Sequence, residues 1–200
     1  MATAMTDKVL ADLGPDQGTA LWIKRVALVV LGVALLAATA KIKVMIPPSP
    51  VPITMTTFAV LTIGAAYGAR LGFATVFGYL ALGAMGYDVF ASSSATANGI
   101  AYMGGSTGGY LLGYLLATAA IGALARRGWD RSVGGMALAM LVGTALIYVP
   151  GVAWLGMLYG WDQPILAWGL TPFLIGDAMK LALAALILPL VWKLVGDART

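Results

Sequence analysis

The chain has 200 residues, 60% of them apolar and 10% charged, with a mean hydropathy of +0.91. A soluble domain carries about 25% charged residues and a disordered one far fewer apolar residues, so both classes are excluded. The sequence contains no Cys and no His, which removes disulfides, thiolate and imidazole chemistry and the usual metal ligands, and no metal or cofactor is expected. The formal charge of +4 resides on cations that flank apolar runs, so they read as topology determinants and not as a nucleic-acid surface.

In chain order, residues 1–20 carry Asp7, Asp12, Gly14, Pro15 and Asp16 and read as a loosely ordered cytoplasmic tail. A membrane-spanning helix needs about 20 mostly apolar residues. Six candidates follow, at about 21–44, 52–69, 71–87, 108–125, 133–159 and 171–195. Thr171 is placed to cap the last of these, with Pro172 at its first helical position. The expected organisation is therefore an all-α integral membrane bundle of six transmembrane helices over 21–195, with short cytoplasmic ends at 1–20 and 196–200. A competing reading takes Lys24, Arg25, the apolar run from Val26 and Ala38-Thr39-Ala40 as a signal peptide with its cleavage site. The long lead-in and the immediate Lys41 and Lys43 weigh against it.

With both termini inside, Lys8, Lys24, Arg25, Arg70, Arg126, Arg127, Arg131, Lys193 and Arg199 lie on the inner side, against Lys41 and Lys43 outside. This is a clear positive-inside bias, and it favours an even number of spans. Inner connections are short, at Arg70 and at 126–131. Outer ones are longer: a proline-rich loop with Pro47, Pro48, Pro50 and Pro52, a stretch from Asp88 to Thr107, and a third from Gly160 to Leu170. Long loops gathered on one side of a bundle often carry function.

Small residues recur every four positions at Gly64, Gly68 and Gly72, at Gly105, Gly109 and Gly113, and at Gly135, Ala139 and Gly143. In lipid such stripes let helices approach closely, and intramolecular packing is their expected role. Ala34 and Ala38 form a similar pair on the first helix, suited either to internal packing or to docking of another membrane subunit.

Asp177 and Lys180 stand inside the sixth apolar span, where a charge is costly and marks a functional site. Three residues apart, they share a helix face. For a helix starting near Thr171 they would lie roughly 9 Å and roughly 14 Å below its outer end, on the side of the long loops. A purely structural ion pair is the alternative. The outer stretch around Ser92, Ser93, Ser94 and Asn98 supplies hydroxyls and one amide that can both donate and accept. The run Gly104-Gly105-Ser106-Thr107-Gly108-Gly109 lacks the lysine and spacing of a phosphate-binding loop, so the chain is no ATPase.

These residues carry a resemblance. Pro50-Val51-Pro52-Ile53-Thr54-Met55-Thr56-Thr57-Phe58-Ala59-Val60, Gly78-Tyr79-Leu80-Ala81-Leu82-Gly83, Ser106-Thr107-Gly108-Gly109-Tyr110-Leu111-Leu112-Gly113 and Pro172-Phe173-Leu174-Ile175-Gly176-Asp177-Ala178-Met179-Lys180 resemble, in order, segments of the BioY family. That family comprises the biotin-specific substrate-binding subunits (S components) of energy-coupling factor transporters. Ser106 stands where the family pattern has proline. The resemblance implies the six-helix S-component fold in the cell's inner membrane. It implies biotin captured from outside as the transported ligand, with Asn98, Asp177 and Lys180 as polar contacts and no catalytic step. It further implies a transmembrane coupling protein, docking at Ala34 and Ala38, and two ATP-binding cassette ATPases.

The chemistry fits. A buried carboxylate at Asp177 can accept the ureido N–H groups of biotin. Asn98 can serve the ureido carbonyl or an N–H, and Lys180 the ureido oxygen, the tail carboxylate or Asp177 itself. Phe90, Tyr102, Tyr159 and Trp168 could face the bicycle or form part of an interfacial aromatic belt. Rival readings are an S component for another vitamin, an intramembrane hydrolase with a Ser–Lys dyad built on Lys180, and a structural subunit without a ligand.

Overall fold

The computed structural model describes residues 7–94 and 97–197. Its long helices are α1 (Gly18–Lys41), α2 (Thr56–Ala84), α4 (Gly108–Arg126), α5 (Val133–Tyr159) and α7 (Leu174–Asp197), with short helices α3 (Gly99–Met103) and α6 (Ile165–Gly169) between them. A small antiparallel ladder pairs β1 (Lys43–Val44) with β2 (Ile53–Thr54) in the first outer connection. Among the described residues, five helical segments are long and apolar enough to cross a membrane. Large apolar side chains such as Leu31, Val149, Ile175 and Met179 are exposed, as a lipid-facing surface requires. The chain is a multi-pass membrane protein.

The second of these segments is not one rod. Gly68 adopts φ 76° and ψ 172° inside α2, a conformation open to glycine and strained for other residues. In an unbroken helix residues 64 and 72 would stand about 12 Å apart. Here a Cβ on Gly72 would sit 3.4 Å from the Cα of Gly64, so the arms 56–67 and 69–84 fold back on one another. The break expected at Arg70 falls two residues earlier, at the residue that can bear the backbone reversal. Both arms lie on α4: a Cβ on Gly64 would meet the Thr118 backbone at 3.0 Å, and one on Gly72 would meet its Cγ2 at 2.8 Å. Gly122 backs onto the reversal itself, with 2.2 Å between its would-be Cβ and Ala69 N. Also on α4, a Cβ on Gly113 would sit 2.7 Å from the Cα of Ile147 of α5. Gly64, Gly72, Gly113 and Gly143 of the small-residue stripes thus serve packing between helices.

The expectation of a loosely ordered tail is not met over residues 7–13. A 3-10 turn, Leu10–Asp12, follows the wholly buried Val9. Arg126 Nη1 donates to Asp7 O (3.1 Å) and Asp12 Oδ2 (3.0 Å), and Arg131 Nη2 to Lys8 O (2.7 Å). Lys24 Nζ donates to Pro15 O (2.7 Å). An apolar anchor and three cations outweigh the local polarity that suggested disorder. Helix α1 accordingly starts at Gly18, ahead of the expected Leu21.

Nearby, Trp192 of α7 donates to buried Asp130 (2.5 Å), and the Arg131 guanidinium stacks 3.4 Å from the Trp192 ring. Burial pushes the Asp130 carboxyl above its usual range. Residues 7–13 and the end of α7 therefore lie at the same end of the bundle as the Gly68 reversal. The opposite end holds the β1–β2 ladder and the long connections.

Helix α7 also begins later than expected. Thr171–Phe173 form a 3-10 turn preceding it, and the Thr171 hydroxyl donates to Leu166 O at 3.2 Å instead of capping the helix. Counted from Leu174, Asp177 and Lys180 lie about 4.5 Å and about 9 Å into α7.

Candidate functional site

At the end opposite the Gly68 reversal, the helices enclose a cavity. Its walls are the loop before α2 (Val51, Pro52, Thr54), the start and end of α2 (Thr56, Thr57, Tyr79), the outer stretch (Phe90, Ala91, Tyr102), and the start of α4 (Thr107, Tyr110, Leu111, Tyr114). Ile147 and Tyr148 of α5, with Phe173 and Lys180, complete it. The space free of atoms is about 540 Å³ with its open mouth. The site is a narrow slot between aromatic walls.

Lys180 is buried at the base of this slot, and its position follows from the i, i+3 geometry of α7. Its ammonium donates to Asp177 Oδ1 (2.9 Å), Thr57 Oγ1 (2.9 Å) and Thr54 O (2.8 Å). An ammonium has three protons, and all three are engaged. Asp177 Oδ2 accepts the Tyr148 hydroxyl in a short bond. The side chains of Lys180 and Asp177 are 10% and 12% exposed. The pair is held by hydrogen bonds in an apolar setting, and it joins α7, α5, α2 and the first outer connection at one point. Asp177 keeps spare lone pairs, because a carboxylate offers about four acceptor sites. Lys180 has no donor to spare.

The aromatic wall has its own order. Phe90 stacks on Tyr102 with centroids 4.9 Å apart and meets Tyr79 edge-on at 5.4 Å. Tyr148 lies 6.0 Å from Tyr110 and 5.9 Å from Phe173. Gly83 makes room for Phe90, since a Cβ there would lie 2.0 Å from its ring. The roof is tied down from several sides. Lys41 Nζ donates to Asp88 Oδ1 (2.6 Å) and Phe90 O (2.8 Å), and Lys43 Nζ to Ala91 O (2.5 Å). Ser49 Oγ donates to Trp168 O (2.7 Å), and Ser106 Oγ to Pro50 O (3.0 Å). The Lys41 hydrogen bond holds the exposed Asp88 carboxyl below the usual carboxylate range.

The structure brings Lys180, Phe90 and Tyr102 to the cavity wall, whereas Asp177 stands behind it, bonded to the lining residues Lys180 and Tyr148. It does not bring Asn98 to the cavity wall: this residue is half-buried ahead of α3, where its side chain makes no capping bond. Tyr159 and Trp168 pair edge-on at 6.0 Å outside the cavity, and Tyr159 is 43% exposed. The exposure of Tyr159 corresponds to the interfacial alternative, whereas Trp168 is half-buried against the core. Sequence reasoning missed Thr57, Tyr148, Tyr110, Tyr114 and Tyr79. A signal was present: these are hydroxyl-bearing residues inside apolar spans, and Tyr110 and Tyr114 share one face at i, i+4. Ala34 and Ala38 are exposed on α1, so this pair is not spent on packing within the chain.

The BioY family model matches residues 5–197. A probable biotin transporter BioY of Pyrococcus horikoshii is 38% identical over 164 residues, covering 82% of this chain and 93% of the relative. The biotin transporter BioY of Thermotoga maritima is 35% identical over 142 residues, covering 71% and 81%. The crystal structure of the S-component for biotin from an ECF-type ABC transporter superposes with a TM-score of 0.74 over 89% of this chain and 95% of that one, at 22% identity. The last likeness establishes a shared S-component fold, and the first three place the chain by sequence. On these grounds the chain belongs to the BioY family, which makes it a transporter-type protein and not an enzyme.

Proposed function

We propose that this chain is the biotin-capturing subunit of an energy-coupling factor transporter in the cell's inner membrane. The observation that carries the reading is the buried Asp177–Lys180 pair, held by Tyr148 and Thr57 at the base of a slot that opens toward the long connections. Hydrogen-bond capacity assigns unequal roles. Asp177 retains lone pairs and accepts the ureido N–H groups of biotin. Lys180, already saturated, orients that carboxylate. The Phe90, Tyr102 and Tyr79 rings flank the apolar bicycle, and Asn98 reaches the ligand only if its segment moves inward.

The backbone runs six times through the bilayer in this reading, with each arm of α2 counted as a crossing and both termini cytoplasmic. The positive-inside bias supports that orientation. The exposed Ala34 and Ala38 receive a transmembrane coupling protein, and ATP-binding cassette ATPases beyond it supply the energy. Titration of the detergent-solubilised protein with biotin and a panel of other vitamins tests the proposal. Biotin alone should bind tightly, and Asp177→Asn, though less stable because Lys180 loses its partner, should remain folded by circular dichroism and bind biotin more than about tenfold more weakly. Tight binding of another vitamin instead, or unchanged affinity in the variant, would overturn the ligand or the site.

A further inference from the structure

The phenols on the cavity wall divide by what each does with its one proton. Tyr148 donates to Asp177, Tyr110 to Gly169 O (2.7 Å) and Tyr79 to Val89 O (3.2 Å). Lys180, the ammonium of the wall, has spent all three of its protons. Among the described residues, Tyr102 and Tyr114 form no such donation. The Tyr102 oxygen accepts Ser92 N (3.3 Å) from the outer stretch, so that hydroxyl stands toward the mouth.

Tyr114 is the deeper of the two. Counted from Gly108 at the outer start of α4, it lies about 9 Å into the helix. One turn further on, Thr118 is wholly buried. Its hydroxyl donates to Tyr114 O (2.7 Å), and its methyl group lies 2.8 Å from where a Cβ on Gly72 would stand. The bundle is closed at that level, so Tyr114 forms part of the floor of the slot. The residue is 7% exposed, lines the cavity, and its hydroxyl is not sealed within the protein.

Its surroundings fix what it can do. Thr54 is the side-chain hydrogen-bonding neighbour of the phenol, and Asp177 and Tyr148 lie within electrostatic reach of it. Thr54 Oγ1 already accepts Thr56 N (3.3 Å), which leaves the Thr54 proton for the phenol oxygen and the phenol proton for a guest. The base of the slot thus sets a phenolic donor near a carboxylate with spare lone pairs. A cyclic urea presents the complementary pattern, two N–H donors beside one carbonyl oxygen. With Lys180 saturated, that oxygen has no ammonium proton to accept, and a buried carbonyl left unpaired is costly.

We propose that Tyr114 is a specificity-determining residue whose hydroxyl donates to the ureido oxygen of the ligand at the floor of the slot. This inference rests on biotin being the ligand.

The test crosses Tyr114→Phe with three ligands on the solubilised full chain, read by calorimetry. The variant keeps the ring and removes the hydroxyl. Biotin methyl ester alters only the tail. 2-Thiobiotin keeps both N–H groups and replaces the ureido oxygen by sulfur, a weaker acceptor. Tyr114→Phe should weaken biotin and its methyl ester by the same factor, at least about fivefold, the cost of stranding a buried neutral acceptor. It should change 2-thiobiotin by less than about twofold, and Tyr102→Phe should not show this selectivity. Unchanged biotin affinity, equal loss for biotin and 2-thiobiotin, loss for biotin but not for its ester, or the selective loss in Tyr102→Phe instead would overturn the assignment. If the unmodified chain fails to bind biotin, the proposed function itself fails and the inference with it.

Discussion

Replacing Lys180 by Met keeps the length of the side chain and removes its charge. Thr54 O, Thr57 Oγ1 and Asp177 Oδ1 would each lose a donor at 2.8–2.9 Å. With Asp177 only 12% exposed, water cannot readily replace the ammonium. Removing one partner of a buried ion pair costs about 3–5 kcal/mol, chiefly because the other charge is stranded. Lys180→Met should therefore lower the unfolding free energy by about that amount. In the double variant Asp177→Asn, Lys180→Met no charge remains, and the amide oxygen still accepts from Tyr148. Its loss should be smaller, about 1–2 kcal/mol, a cost of unsatisfied polar groups without a stranded ion. Denaturant unfolding of the detergent-solubilised protein, followed by circular dichroism, measures both. If the single variant loses less than about 1 kcal/mol, or the double variant is the less stable of the two, the pair is not the buried junction described above.

Further outcomes are expected elsewhere. Gly122→Ala should destabilise the fold by about 1–3 kcal/mol or more, because its Cβ would fall 2.2 Å from Ala69 N at the α2 reversal; a thermal midpoint within error of the parent would contradict that packing. Arg126→Ala removes two bonds from the N-terminal segment and should speed tryptic cleavage at Lys8, read by mass spectrometry. For Asp88, the folded pKa lies below the unfolded one. Its tie to Lys41 therefore contributes above the unfolded value, about pH 3.9, and is lost as pH falls through the folded value. The difference in thermal midpoint between the chain and Asp88→Asn should hold steady from about pH 6 to 8 and shrink below about pH 4; a difference that varied across neutral pH would rule the tie out as its source.

How much of this was legible in the sequence depends on the range of the forces involved. Hydrophobic length marks α1, α4 and α5 to within a few residues, because a bilayer admits few alternatives to a long apolar helix. Asp177 and Lys180 stand out by the cost of charge in lipid, and the i, i+3 spacing alone makes them neighbours. The BioY motifs carried the family.

Tertiary structure alone decided the rest. Residues 7–13 belong to a stretch whose charges and turn residues suggest a loose tail, yet Val9 is buried and Arg126 and Arg131, more than a hundred residues away in sequence, meet that segment's carbonyls. Gly68, and not Arg70, reverses the chain because Gly122 of α4 leaves room there for the backbone. Lys180 loses its freedom to Thr54 and Thr57, over 120 residues away. Periodicity and hydropathy are local sums over neighbours in sequence. Which polar atom is paired, and which is left for a guest, is fixed by contacts between distant segments that exist only after the bundle has closed.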